Sequence, residues 1–570
     1  MKKTKFLAIL IAVTMALISI FSACKQRSDY TIALNASKSY TIEVGDEIDY
    51  SQYFIVKDKN GYQIVVTEDM LDLSGVDTSK PGMFTVTVKI GGSSKTATFF
   101  VKEGDGTEKE PEQGTDPKPT DPTPTDPTVM EKQTYNPATF DKENLQDKML
   151  KNDDLIGLPS TGSYHALVVP VQFKGDTVTQ TQLSNLNIAF NGTSAETGWE
   201  SVSSYYKKAS YGKLNLTFDI QTTYQAKQNA AYYESYSETY KEDGYTYTRT
   251  GEEVILREVL AYYESRLDLT KYDTNDDGAI DAVYLIYSAP VDYDEANFYW
   301  AYTTWYYGEE KYDNLYGYYY LFAGFDFMDE ATSRDTSGYY DTISGLKVNA
   351  STFIHETGHL LGLDDYYDYE ETKGSNEGLG GADMMDYTEG DHNVYSKMML
   401  GWLEPTIVNE TKTLTIQSSQ ASASAILIPL NFNNSYFCEY LLIDLYAAQG
   451  LNAMHAQTSN TTLYDGASYG VRIYHVSSSI NHPYNDDYGS FTDNNNSVST
   501  YALIKLVEAD GEKKFASSGG YASRSDLWQT GGQLSKVFAG YTRNDGKKVN
   551  FDITINSATA TSASITITFN

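Results

Sequence analysis

Cysteine is nearly absent from this 570-residue chain, which has only Cys24 and Cys438. Two thiols cannot build a disulfide-stapled scaffold or a four-cysteine metal module, so stability must come from packing. Positive charge is also scarce: 43 Lys and Arg stand against 77 Asp and Glu, a formal net charge of -34. Such a surface repels phosphate backbones and anionic headgroups, so no nucleic-acid partner is expected and a polybasic membrane anchor is absent. Beyond Ile20 no apolar run reaches the roughly 20 residues that span a bilayer. Histidine is sparse, with seven in the chain.

What is present describes a folded, multidomain protein. Apolar residues make up 41% and aromatics 14%, enough to offset ordering entropy, and the length calls for roughly three or four folding units. Lys2, Lys3 and Lys5 precede an uncharged apolar stretch from Phe6 to Ile20, and Phe21-Ser22-Ala23-Cys24 closes it. This is the anatomy of a signal peptide over 1–24. Its ending resembles a bacterial lipobox, which implies a lipidated Cys24, a membrane tether and a place outside the cell on a bacterial surface. A lipidated Cys24 leaves Cys438 without a disulfide partner, and the apolar run YFCEYLLIDLY marks Cys438 as a buried structural thiol.

Short alternating runs such as Tyr40–Val44 and Phe84–Ile90, punctuated by Gly, Asp and Pro, predict a β-sandwich over 25–102. It resembles bacterial immunoglobulin-like modules. Residues 103–130 hold the near-repeat TDPKPTDPTPTDPT and predict an extended linker. Over 131–405 strands and helices mix: apolar strands at 165–173, 214–220 and 282–288, and helices at 199–209 and 252–267. Over 406–570 alternating runs predict a β-rich domain.

The chemistry is concentrated in HETGHLLGLDD, His355 to Asp365. Phe353, Thr357, Leu360 and Leu361 follow the three-four spacing of a helix packed on a core. His355 and His359 then share one face, their Cβ atoms roughly 5–6 Å apart, which suits two imidazoles gripping one tetrahedral ion. Glu356 follows the first ligand and can take a proton from a water the metal activates, as general base. Zinc is the expected ion because it favours few ligands and nitrogen donors, and because it makes water acidic near neutral pH. Gly362 is expected to end the helix in a left-handed turn and lead the chain back to the metal, which makes Asp365 the natural third ligand. Asp364 should point elsewhere, since side chains alternate along extended chain.

The chain here resembles the metzincin clan, and within it the immune inhibitor A family of bacterial metallopeptidases. The resemblance rests on LVVPVQF at 167–173, SVSSYYKKASYGKLNLTF at 201–218, YDTNDDGAIDAVYLIYS at 272–288, HETGHLLGLDDYYD at 355–368 and GGADMMDYTEGDHNVYSKMMLGW at 380–402. It covers about residues 150 to 405 and less specifically the β-rich continuation. It implies an α/β zincin domain, zinc on His355, His359 and Asp365, the base at Glu356, and a Met-turn at Met385 with Met384 the alternative. Many metzincins have histidine where Asp365 stands, although the immune inhibitor A type has aspartate. Tyr387 falls where some metzincins place a tyrosine that assists the tetrahedral intermediate. Only residues 131 to 160 could serve as a propeptide.

Other features weigh less. Asp273, Asn275, Asp277 and Asp281, with Gly278 at the turn, match the first nine positions of a calcium loop, but Tyr284 replaces the bidentate Glu; calcium and a plain Asp/Gly turn both fit. The 50 tyrosines suit packing more than a glycan- or peptide-binding surface. LPSTG at 158–162 reads as a loop, and His475, alternating with Val471 and Ile473, as a satisfied core histidine. The expected activity is zinc-dependent hydrolysis of peptide bonds in extracellular proteins. The alternative is a cell-surface binding protein on an inactive peptidase fold, which the intact His355, Glu356, His359 and Asp365 set opposes. Oligomeric state is not legible in the sequence.

Overall fold

The computed structural model describes residues 30–34, 41–43, 48, 50–58, 63–64, 66–67, 70–74, 76, 78, 80, 82–90, 93–102 and 128–570, the last without 150–156, 243–244, 292–297, 307, 309, 329–331, 335–339, 343–344, 370–377, 387–389, 455–467, 482–489, 497–498 and 514–521. Cys24, the signal peptide, Tyr387 and nearly all of the 103–130 linker lie outside the described residues. The chain divides into two compact units, Met1–Pro124 and Thr125–Asn570.

The first unit has a three-stranded and a four-stranded sheet, the second built on the hairpin Gly82–Ile90 and Ser93–Lys102. Alternate residues Phe84, Val86 and Val88 face Phe99 and Val101 in one small core, with Phe84 and Phe99 stacked at 5.3 Å. This is the period-two pattern of a sandwich with one wet face per sheet.

In the second unit the strands are β1 (Gly162–Gln172), β2 (Leu214–Ile220), β3 (Tyr224–Gln225), β4 (Val283–Tyr287), β5 (Tyr302–Trp305) and β6 (Tyr319–Gly324). The sheet order is β3-β1-β4-β6-β5, with β2 also beside β1. Every pair is parallel except β5 on β6, so β5 is an antiparallel edge. Both faces are covered, which is why the β1 and β4 sequences are unbroken apolar runs rather than alternating ones. On one face Leu167, Val169 and Leu285 pack under helix α3 (Gly251–Tyr263) through Ile255, Leu256 and Val259. On the other, Val168, Tyr284 and Ile286 meet α1 (Gln180–Asn191), α2 (Val202–Ala209) and α4 (Ser351–Leu360), the helix predicted to carry the histidines.

The boundary expected at 405/406 falls inside one compact unit, Thr125–Asn570. The strand Glu439–Ala447 is buried along its whole length. Leu441, Ile443 and Leu445 face a β-sandwich core with Ile553, Ile565 and Ile567, while Tyr440, Leu442 and Tyr446 enter the same core as Phe353 and Met385. Covering both faces fuses the two halves into one unit. Helix α5 (Val394–Met399) packs on that strand. Residues 131–149 are equally integral: the Asp141 amide donates to the Asn434 carbonyl at 3.0 Å, and Phe140 stacks on Phe432 at 6.1 Å. Within 158–162, Leu158 and Ser160 are buried and the Ser160 carbonyl accepts from Trp402 Nε1 at 2.7 Å, as befits a built-in loop.

Among the described residues no helix is long and apolar enough to cross a membrane.

Candidate metal centre and cleft

Helix α4 is placed by its buried side, where Phe353, Ile354, Thr357, Gly358 and Leu360 meet the core. Gly358 allows the closest approach: a Cβ there would lie 2.5 Å from Met385 Sδ. The thioether beneath the helix is therefore that of Met385, while Met384 contributes its carbonyl. The helix ends as expected, with Gly362 at φ +98°. The Gly362 amide donates to the His359 carbonyl at 2.9 Å and the Leu363 amide to the Gly358 carbonyl at 3.0 Å, the reversed bonds of a Schellman-type stop.

The turn delivers Asp365 to the histidines. Asp365 Oδ1 lies 2.9 Å from His355 Nε2 and 3.3 Å from His359 Nε2. Among the described residues, His355, His359 and Asp365 form one of two groups of three whose donor atoms lie within 4.8 Å of one another. Asp364 is outside that group and lines the cleft beside it. The imidazole tautomers follow from the other ring nitrogens. His355 Nδ1 is 2.8 Å from the Met384 carbonyl, and His359 Nδ1 is 2.7 Å from the Leu363 carbonyl. A carbonyl only accepts, so each Nδ1 carries the hydrogen and each Nε2 presents a lone pair.

Two buried oxygens at this point have no hydrogen-bond partner, Asp365 Oδ1 and Glu356 Oε2. Leaving such atoms bare is costly, and a cation among the donors together with a water beside Glu356 would satisfy both. Two imidazole nitrogens and one carboxylate oxygen fit zinc in donor type and number. Burial pushes the Glu356 carboxyl up, toward a base that can also return a proton.

Sequence reasoning missed two partners of this centre. Tyr369 donates its hydroxyl to Asp365 Oδ2. Thr303 on edge strand β5 donates Oγ1 to the Glu356 carbonyl at 2.9 Å, locking the edge strand to α4. Neither carries a signal beyond its own residue type. A cleft of about 580 Å³ opens over the centre, lined by β5, the end of α4, Tyr367, Tyr369 and, from the far half of the chain, Phe491 and Asn496.

The other candidate residues have these surroundings. Asp273 accepts from the Asp277 and Gly278 amides, each at 3.1 Å, Asn275 bonds Asp277 at 2.9 Å, and Asp281 accepts from Thr274, so the loop is tied by its own hydrogen bonds. It is not among the close ligand groups found in the described residues. His475 is buried between Glu439 Oε1 at 2.8 Å and the Tyr541 hydroxyl at 2.9 Å. Cys438 is buried, and burial pushes its thiol up to about 12. Most tyrosines of the sheet and helices, such as Tyr205, Tyr284 and Tyr320, are core residues.

Residues 34–102 match the family profile described as bacterial Ig-like domain (group 3), in agreement with the two-sheet unit. No curated protein matches the chain. Among solved structures, the chain is similar to the crystal structure of metalloproteinase-II from Bacteroides fragilis at 9% identity, over 62% of this chain and 79% of that one, with a TM-score of 0.17. A score that low carries no argument about fold or activity.

Proposed function

We propose that the protein is a zinc-dependent endopeptidase of the metzincin-like zincin type, related to the immune inhibitor A family, acting on extracellular proteins. The observation that supports it most is the convergence of His355 Nε2, His359 Nε2 and Asp365 Oδ1 beside the unpartnered Glu356 Oε2, in an open cleft. When bound, zinc would supply Lewis acidity toward a carbonyl and toward water. Glu356 Oε2 takes the proton from the attacking water and returns it to the departing amide nitrogen, a transfer suited to its raised affinity for protons. Edge strand β5 borders the cleft and offers a row of main-chain groups to which an extended peptide can add as a further strand. That geometry favours a peptide over a compact small molecule.

The test is cleavage of internally quenched peptides by the full chain. Activity should vanish with chelator, return with zinc, and fall by about 10²–10⁴-fold in Glu356→Gln while zinc content stays near one per chain. Undiminished cleavage in Glu356→Gln would overturn the mechanism. The same reading places the protein outside the cell, tethered through Cys24, on the strength of the signal-like 1–24 segment. Cys24→Ser should then leave the membrane fraction or remain uncleaved; unchanged fractionation with normal processing would remove the tether.

A further inference from the structure

The cleft has two walls of different origin. One is β5, the chain just before it and its neighbour β6, which contribute Trp305, Trp300 and Tyr319, with Trp300 43% exposed. The other comes from the β-rich half, where Phe491 reaches the cleft 126 residues after Asp365 because the two halves share one core. Phe491 is held there by packing on Phe437, with ring centroids 6.4 Å apart and nearly parallel. Its segment is fastened to the chain that follows Asp365. Buried Asn495 donates Nδ2 to the Tyr366 carbonyl at 3.1 Å and to the Ile504 carbonyl at 2.8 Å. The second wall is thus fixed in register with the ligands rather than draped over them.

Among the described residues the cleft lining includes no Lys or Arg, whereas Asp364 adds a carboxylate beside Glu356 and Asp365. Aromatic faces on both sides of the candidate metal centre, Trp300 exposed and Phe491 half-buried, leave apolar area for a substrate side chain to cover. Three lining carboxylates outnumber the charge a divalent ion would bring, and on a chain of net charge -34 they repel acidic side chains.

Resting on the peptidase reading, we propose that the cleft selects extended peptides with an aromatic or large aliphatic residue beside the scissile bond and rejects Asp and Glu there, with Phe491 and Trp300 as the specificity-determining residues. Both act on substrate binding.

Binding and hydrolysis are measured separately to test this. Fluorescently labelled peptides that differ at one position, Phe, Leu, Ala or Asp, are titrated against the full-length, zinc-loaded Glu356→Gln protein, and the same peptides are offered to the unaltered enzyme. The Phe and Leu peptides should bind and be cleaved at least about tenfold better than the Ala peptide, with Asp poorest. Phe491→Ala and Trp300→Ala should each shrink the Phe-to-Ala ratio severalfold, and Phe491→Leu should restore much of it, with melting temperature confirming the fold. Equal binding of all four peptides, or an unchanged ratio in both alanine variants, would overturn the proposal. Hydrolysis without preference would overturn it while leaving the peptidase reading intact. Selective binding without hydrolysis would support it and overturn the peptidase reading instead.

Discussion

His355 and Met384 are joined by a hydrogen bond from the imidazole Nδ1 to the backbone carbonyl, 2.8 Å long. The bond sets the tautomer of a metal-ligand candidate from a loop 29 residues further on, and it registers that loop under α4. The next residue, Met385, completes the contact by placing its sulfur against Gly358.

That contact makes Gly358 sensitive. A Cβ at this position meets Met385 Sδ at 2.5 Å and Cε at 3.1 Å, and Met385 is itself fully buried. Gly358→Ala gains helix propensity, but overpacking a closed core costs more, so a net loss of about 1–3 kcal/mol is expected in denaturant unfolding. A variant as stable as the parent would show that Met385 yields freely and does not support the helix.

Asp365 and Asp364 provide the sharpest test of the ligand set. Asp365 Oδ1 faces both imidazoles, whereas Asp364 lines the cleft and is outside the close donor group. Asp365→Ala should lose zinc on dialysis and lose activity, because two nitrogens fall short of the three protein ligands usual for catalytic zinc. Asp364→Ala should keep zinc. Metal analysis showing the reverse would reassign the ligand.

Much of this was legible in the sequence because it is written in local patterns. The i, i+4 histidines, the glycine that ends α4 and the alternation that separates Asp365 from Asp364 depend on a few neighbouring residues and simple backbone geometry. The strand at 283–287 could be read because a fully buried parallel strand is a continuous apolar run, and that at 214–220 because Leu214, Leu216 and Phe218 alternate with less buried residues. What stayed hidden depends on distant packing. Tyr369, Thr303 and Phe491 gain their roles only when the chain folds back, and nothing at those positions distinguishes them from dozens of similar residues. The packing that continues across 405 stayed hidden for the same reason. A strand such as 439–447, apolar on both faces, does not say that its two faces belong to cores expected in separate domains.

Stability should depend on pH through Glu253 in the first turn of α3. Its carboxylate accepts from the Thr250 amide at 3.1 Å, yet burial, with Glu252 adjacent, pushes it up to about 7. The folded chain therefore holds this proton more tightly than the unfolded chain, whose value is the ordinary one near 4.3. Stability is greatest below the unfolded value and declines as pH rises toward 7. Glu253→Gln keeps an acceptor for the Thr250 amide and removes the titration. It should be more stable than the parent by about 1 kcal/mol or more at pH 8 and equal to it near pH 4, as urea unfolding at the two pH values would show. A difference of the same size at both would show that ionisation of Glu253 is not its source.

Tyr369 is predicted to tune the metal without binding it. Its hydroxyl donates to Asp365 Oδ2, the carboxylate oxygen turned away from the closest histidine contacts, so the phenol fixes the rotation that aims Oδ1 at both imidazoles. Its ring packs on Tyr367, with centroids 5.4 Å apart, a contact that phenylalanine preserves. Tyr369→Phe thus removes the donor and little else. Loss of such an outer partner weakens metal affinity by about 10–100-fold, because the ligand must then be ordered by the ion alone. Competition with a chromophoric chelator should show that loss, while melting temperature of the metal-free protein stays close to the parent's, since 57% of Tyr369 is exposed. Unchanged zinc affinity would mean that His355 and His359 suffice to hold Asp365, and would leave the Tyr369 hydroxyl without a part in the centre.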